Sequence, residues 1–152
     1  MLARFPAFVL AGLVATGAGA TASDAQHAHG TPEGWTFGLP KGDPAKGRRA
    51  FAKFECYKCH EVKGEKFPAA TDKENVGPEL SMMGPLHDAE YLAEALVNPG
   101  KEIEKGKGYA AKDGSSKMPS FNDSLTVQEL VDLVAYLKGL RPPHGARPGT
   151  VH

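Results

Sequence analysis

The sequence predicts an all-α domain, and three observations support this fold class. Apolar residues recur at helical spacing in three stretches of the chain. Each stretch follows a residue that can cap a helix, namely Asp43, Asp88 and Thr126. No alternating or β-branched run precedes the central cysteines. With 152 residues, the chain has room for one domain with a real core.

The first helix is predicted to begin at Asp43-Pro44, where a capping carboxylate precedes a proline at the first helical position. Its apolar face follows at helical spacing and consists of Gly47, Ala50, Phe51 and Phe54. A glycine inside a helix costs about 1 kcal/mol relative to alanine. Gly47 therefore predicts a close crossing by another helix. We expect the first helix to run into Cys56.

The second helix is predicted from Ala89 to about Val97, with Asp88 as its cap. Its inner side is expected to contain Tyr91, Leu92, Ala95 and Leu96. Asn98-Pro99-Gly100 ends it. The stretch from Lys101 to Lys117 is predicted to be a loop.

The third helix is predicted from a capping box formed by Thr126 and Glu129, with Leu125 and Leu130 as its hydrophobic staple. Its apolar residues lie at positions i, i+3, i+4 and i+7, and they are Leu130, Leu133, Val134 and Leu137. Lys138 and Gly139, followed by Pro142-Pro143, end this helix.

The ends of the chain differ in composition from the predicted domain. Arg4, an apolar stretch from Phe5 to about Val14 and small residues up to Ala22 are typical of a secretory signal. We expect cleavage after Ala20 or Ala22, and a periplasmic protein without stable membrane insertion. The apolar run is shorter than the roughly 20 residues of a spanning helix, although a retained anchor stays an alternative. The predicted organisation is a signal peptide at 1–22, a flexible lead-in at 23–38, the domain at 39–141 and a disordered tail at 142–152.

Cys56-Tyr57-Lys58-Cys59-His60 has the spacing of a c-type haem attachment site. Residues i and i+3 of one helical turn project from the same side, so both thiols can reach the two vinyl groups of one porphyrin. His60 can then offer a ring nitrogen to the iron. A thiol redox pair and half of a zinc site are the alternatives. The chain has no other cysteines, and its histidines are scattered.

Two further residues are candidates around such a haem. A histidine bound to iron normally donates its remaining N–H to a fixed acceptor, and the carbonyl of Pro78 in Gly77-Pro78-Glu79-Leu80 is a candidate. Met118 offers a soft sulfur as second axial ligand from a loop far along the chain. Met82, Met83 and the other histidines are alternatives, and any methionine can also fill a core.

In their order along the chain, these motifs resemble the class I cytochromes c from about Lys41 to Arg141. The resemblance implies a few helices wrapped round one haem c, which is covalently bound through Cys56 and Cys59. It also implies that Gly47 and Phe51 of the first helix pack against Leu133 and Tyr136 of the last. The family holds its haem propionates with aromatic or polar residues, for which Tyr109 and Trp35 are candidates.

The expected function is an exported electron carrier and not an enzyme, because ligation by His60 and Met118 leaves no open coordination site. Its partners would be proteins that donate and accept electrons. The formal net charge of zero gives no electrostatic argument for nucleic acid. Lysines near the site either steer an acidic partner or form a solvated face. The alternatives are an electron-accepting subunit of a periplasmic dehydrogenase or oxidase complex, a ligand-binding haem sensor or haem enzyme, and a thiol–disulfide protein.

Overall fold

The structure is a computed structural model that describes residues 30–68 and 77–142. Four α-helices lie in a compact unit that begins at Gly38: α1 (Pro44–Lys53), α2 (Met83–Leu86), α3 (Ala89–Val97) and α4 (Val127–Gly139). A 3₁₀ turn spans Cys56–Lys58. Within the described ranges the only β pairing is an isolated bridge between Ala110 and Ser116. The predicted all-α class is confirmed.

Helix α1 begins where the sequence predicts and ends earlier than expected. The Asp43 carboxylate accepts hydrogen bonds from the N–H groups of Ala45 and Lys46, at 2.8 and 3.2 Å. The helix ends at Lys53 and therefore does not run into Cys56, so that expectation was wrong. Glu55 has a left-handed backbone with φ of 54°, which a continuing right-handed helix cannot contain.

The crossing of α1 and α4 forms the centre of the unit, as Gly47 predicted. A Cβ added at Gly47 would overlap the carbonyl oxygen of Asp132, so only glycine allows the two backbones to approach this closely. The rings of Phe51 and Tyr136 pack with centroids 5.6 Å apart. The buried carboxylate of Asp132 accepts the Asp43 N–H at 2.8 Å and thereby ties the start of α1 to α4.

Helix α3 has the predicted bounds but a different buried face. Asp88 occupies the predicted N-cap position, but among the described contacts its side chain makes no capping hydrogen bond. Leu92 and Leu96 are buried as expected, together with Ala93. Tyr91 is 44% exposed, because it lines an open cavity instead of being buried in the hydrophobic core.

Helix α4 begins with the predicted capping box. Thr126 Oγ1 accepts the Glu129 N–H at 3.2 Å, and the Glu129 carboxylate accepts the Thr126 N–H at 3.0 Å. The Lys53 ammonium reaches the same carboxylate at 2.5 Å and, with the Thr126 contacts, lowers the pKa of Glu129 to about 2. The predicted core residues Leu133, Val134 and Leu137 are buried, and Leu130 is half-buried.

The remaining predictions concern the ends of the chain. In the unit Met1–Phe37, the described residues 30–37 contain a turn in which the Trp35 N–H donates to the Pro32 carbonyl at 3.1 Å. The predicted signal peptide, the lead-in up to residue 29 and the tail from residue 143 lie outside the described residues. Among the helices that the structure describes, none has the length and apolarity needed to cross a membrane.

Candidate haem-binding site

A cavity of about 700 Å³ lies beside the cysteine turn. Helices α1, α3 and α4 contribute apolar walls, which include Phe51, Leu92, Leu96, Leu133 and Leu137. The five residues predicted to bind or support the haem iron line this one cavity: Cys56, Cys59, His60, Pro78 and Met118. Trp35, a candidate for the propionates, is not among its lining residues. The fold therefore brings together groups that lie far apart in the chain.

The cysteine pair lies on a 3₁₀ turn rather than on the expected α-helical turn. A 3₁₀ helix has three residues per turn, and here Cys56 begins the turn while Cys59 follows it as the C-cap residue. The Cys56 carbonyl accepts the N–H groups of Cys59 and His60, at 3.2 and 2.9 Å. Burial raises the pKa of Cys56 to about 11, which keeps its thiol protonated.

The imidazole of His60 is fixed through one of its two nitrogens. Nδ1 lies 2.9 Å from the Pro78 carbonyl oxygen, and because a carbonyl can only accept, Nδ1 carries the hydrogen. Nε2 keeps its lone pair, which is the form that binds a metal. Burial lowers the pKa of His60 and favours this neutral ring. A Cβ added at Gly77 would overlap the imidazole, so glycine is required behind it.

Two segments that run in parallel, residues 59–63 and 77–81, hold His60 and Pro78 together, and we call them the histidine clamp. The Gly77 N–H donates to the Cys59 carbonyl at 2.8 Å. The Leu80 N–H donates to the Glu61 carbonyl at 2.9 Å. These bonds lie on either side of the His60–Pro78 contact and set the register between the two segments.

Met118 follows a small hairpin, residues 109–117, which we call the methionine hairpin. Lys117 N–H donates to the Tyr109 carbonyl at 2.9 Å, and Ala111 N–H donates to the Ser115 carbonyl at 2.8 Å. The sequence pattern predicts only a loop in this region. The Asp113-Gly114 pair is a hairpin signal and could have revealed it.

Other possible ligands line the same cavity. Met83 belongs to α2, a short helix that the sequence analysis missed, and Met82 is not among the described lining residues. His87 also lines the cavity and stacks on Tyr91 with centroids 4.3 Å apart. Tyr109, a candidate for the propionates, is another lining residue. The cavity walls therefore include three candidates for a second ligand: Met83, His87 and Met118.

Comparison with protein families gives one match, to the cytochrome c family model, over residues 44–141. The chain belongs to the cytochrome c family. Members of this family are electron-transfer proteins with a covalently attached haem c, and they exchange electrons with partner proteins. The resemblance to class I is thereby confirmed. No curated protein matches the chain.

The cavity of this cytochrome fits a haem in its shape and in its donor atoms. The apolar walls suit a porphyrin, and a volume of about 700 Å³ lies within the range of cofactor pockets. The two cysteines at the attachment spacing and a neutral imidazole line the same space. Cys56, Cys59 and His60 would hold the group, and Gly77 leaves the room that the imidazole needs.

The rim of the cytochrome's cavity carries charges of both signs. Its lysines are Lys58, Lys101 and Lys117, and its glutamates are Glu55, Glu94, Glu102 and Glu104. Lys58 pairs with Glu55 and Lys101 pairs with Glu94, both at 2.6 Å. Exposed pairs of this kind contribute little to stability. The mixed rim favours a solvated face over a uniformly basic ring.

Proposed function

We propose that the chain is an exported monohaem c-type cytochrome that carries single electrons between redox partner proteins. In this proposal Cys56 and Cys59 would bind the haem covalently, and His60 and Met118 would ligate its iron. The observation that carries the proposal is that these four side chains line one apolar cavity. When bound, the haem supplies an iron that cycles between ferrous and ferric states.

The chain's own residues set the conditions for such transfer. The hydrogen bond from His60 Nδ1 to the Pro78 carbonyl raises the basicity of Nε2 and holds the ring in one orientation. The apolar residues of the walls keep water away and favour the less charged ferrous centre. A methionine sulfur opposite a histidine also favours the ferrous state.

Met118 is the preferred second ligand because it reaches the cavity from a segment of its own. Met83 begins α2, two residues after the segment 77–81 that already holds His60. His87 is occupied by stacking on Tyr91, and its carbonyl accepts a hydrogen bond from Lys138 Nζ at 2.6 Å. Met118 stands at the end of the methionine hairpin, next to Pro119, outside the histidine clamp.

The proposed ligation is tested by replacing Met118 with alanine and comparing it with Met83→Ala. Both proteins are exported in a host that attaches haem covalently, and ferric and ferrous absorption spectra are recorded. We expect the unchanged protein and Met83→Ala to show the weak far-red band of sulfur-ligated ferric haem. Met118→Ala should keep its covalent haem, lose this band and bind carbon monoxide rapidly in the ferrous state.

Two results would contradict the proposal. If Met83→Ala loses the far-red band while Met118→Ala keeps it, the ligand assignment is wrong. If the unchanged protein carries no covalent haem, the electron-carrier function itself is wrong.

A further inference from the structure

We infer that Glu79 and Ser81 are positioning residues that fix the hydrogen-bond acceptor of His60, and thereby set the reduction potential. This inference rests on the proposed function, because it concerns the histidine that would bind the haem iron. Both side chains belong to the histidine clamp, and neither is among the residues that line the cavity. In this inference they act on the site through the backbone that they hold.

Ser81 joins the two segments of the clamp from inside the protein. Its side chain is buried, with 2% of the residue exposed. Its Oγ accepts the N–H of Lys63 at 2.7 Å. The same hydroxyl donates its hydrogen to the carboxylate of Glu79. The buried hydroxyl of Ser81 thus acts both as acceptor and as donor, and these two hydrogen bonds fix the distance between residues 63 and 81.

One carboxylate oxygen of Glu79 accepts hydrogen bonds from both segments of the histidine clamp. Its Oε1 accepts the Ser81 N–H at 2.8 Å and lies 3.3 Å from the Lys63 nitrogen, whose N–H it also accepts. Hydrogen bonds to an ionised acceptor are stronger than those between neutral groups. One oxygen therefore bridges residues 63 and 81, in addition to the backbone bonds described above.

Pro78 lies directly between two held residues. Gly77 is fixed by its N–H bond to Cys59, and Glu79 is fixed by its own side chain. Proline restricts its own φ angle, so little freedom remains in the Pro78 carbonyl that faces His60. Loosening Glu79 or Ser81 would let this carbonyl turn away. The imidazole would then become a weaker donor to iron, which favours the ferrous state and raises the potential.

The test compares four single variants of the haem-bearing protein: Glu79→Ala, Glu79→Gln, Ser81→Ala and Glu90→Gln. Glutamine removes the charge of Glu79 and replaces one carboxylate oxygen with an NH2 group, but it keeps one acceptor oxygen, so it separates positioning from electrostatics. Glu90 is exposed and does not line the cavity, which makes Glu90→Gln a control for loss of a carboxylate. The reduction potential is measured by redox titration. The hydrogen exchange of His60 Nδ1–H is measured by proton NMR of the reduced protein.

We expect Glu79→Ala and Ser81→Ala to shift the redox equilibrium roughly threefold to tenfold towards the ferrous state, or about 30–60 mV. In the same two variants, exchange of the His60 Nδ1–H should be roughly tenfold faster, as loss of one buried hydrogen bond predicts. Glu79→Gln and Glu90→Gln should each change the redox equilibrium less than about twofold.

Equal potential shifts in Glu79→Ala and Glu79→Gln would overturn the inference, because charge alone would then explain the effect. Unchanged potential and exchange in Ser81→Ala would also overturn it. Both results leave the proposed function intact, since the haem is present. Absence of haem from the unchanged protein would instead refute the proposed function, and this inference with it.

Discussion

The two sides of the haem cavity are built in different ways. On the side of His60, the histidine clamp joins residues 59–63 to residues 77–81, with bonds on both sides of the imidazole contact. On the side of Met118, the backbone hydrogen bonds described for the hairpin are local. The methionine hairpin pairs residues within 109–117, and the Met118 N–H donates to Ser116 Oγ at 3.1 Å. Hydrogen bonds between distant segments therefore hold the histidine side, whereas on the methionine side Met118 packs against the core from a hairpin whose backbone bonds are local.

This difference indicates a division of roles between the two proposed axial ligands. A ligand held by long-range contacts can move only if the surrounding structure opens. A ligand at the end of a short hairpin can move when that hairpin alone opens. We therefore expect His60 to stay bound under conditions that release Met118. The following predictions test this asymmetry.

The largest effect is expected from Gly77→Ala on the histidine side. The added Cβ overlaps the His60 ring, which has no room to shift against the Pro78 carbonyl. We expect a loss of about 3 kcal/mol in the free energy of unfolding, at the upper end of the range for overpacking. Urea unfolding and the yield of haem-bearing protein measure the effect. Gly100→Ala is the control, because no atom lies within 4 Å of its added Cβ; equal stability of both variants would contradict the prediction.

A smaller and more local effect is expected from Gly108→Ala beside the methionine hairpin. Gly108 has φ of 78° and open space around it, so alanine meets backbone strain without a clash. This strain costs roughly 1–2 kcal/mol. The far-red band of the ferric protein should weaken at lower urea concentration than in the unchanged protein, while the main haem absorption holds. Simultaneous loss of both signals would contradict the prediction that the methionine hairpin opens before the rest of the structure.

The smallest effect is expected in acid and arises from Asp113 at the hairpin tip. The Ser115 hydroxyl donates to its carboxylate at 2.7 Å and the Ser115 N–H at 3.0 Å, and these bonds lower the pKa of Asp113 below 3.8. A lowered pKa contributes stability that is present above pH 3.8 and is lost as the pH falls through the folded-state pKa. Acid should therefore weaken the far-red band of the ferric protein.

The acid effect is tested by comparing the far-red band of Asp113→Asn with that of the unchanged protein as the pH is lowered. Asparagine keeps an acceptor oxygen for Ser115 but does not titrate, so the far-red band should persist to lower pH than in the unchanged protein. Asp123→Asn removes an exposed aspartate outside the hairpin and is the control. Identical acid curves for Asp113→Asn and the unchanged protein would refute this origin of the acid sensitivity.

The sequence predicted what depends on local chemistry. The caps at Asp43 and Thr126 are visible because a capping residue and its partner lie within four positions. Gly47 indicated the helix crossing because glycine destabilises a helix interior, and a close approach of another backbone explains its presence there. The cysteine motif indicated the candidate site because the spacing of Cys56, Cys59 and His60 is that of a c-type haem attachment motif.

The sequence could not predict what depends on neighbours distant in the chain. The exposure of Tyr91 was missed because the residues of α3 divide between the core and the cavity, and helical periodicity does not separate these two surfaces. In the sequence, nothing distinguishes Ser81 from an ordinary loop residue, because its role depends on contact with Lys63, which is distant in the chain. The left-handed backbone of Glu55, which ends α1 before Cys56, has no local sequence signal.

The crossing of α1 and α4 has a consequence for the order of folding. The bond between Asp43 and Asp132 spans 89 positions, so it closes almost the whole domain into one loop. Such a closure is costly in chain entropy and slow compared with local turns. A chain that emerges from its amino terminus cannot complete this interface until α4 is present. Leu133 and Leu137 belong to α4, so the part of the cavity wall that they form cannot be in place before this crossing is made.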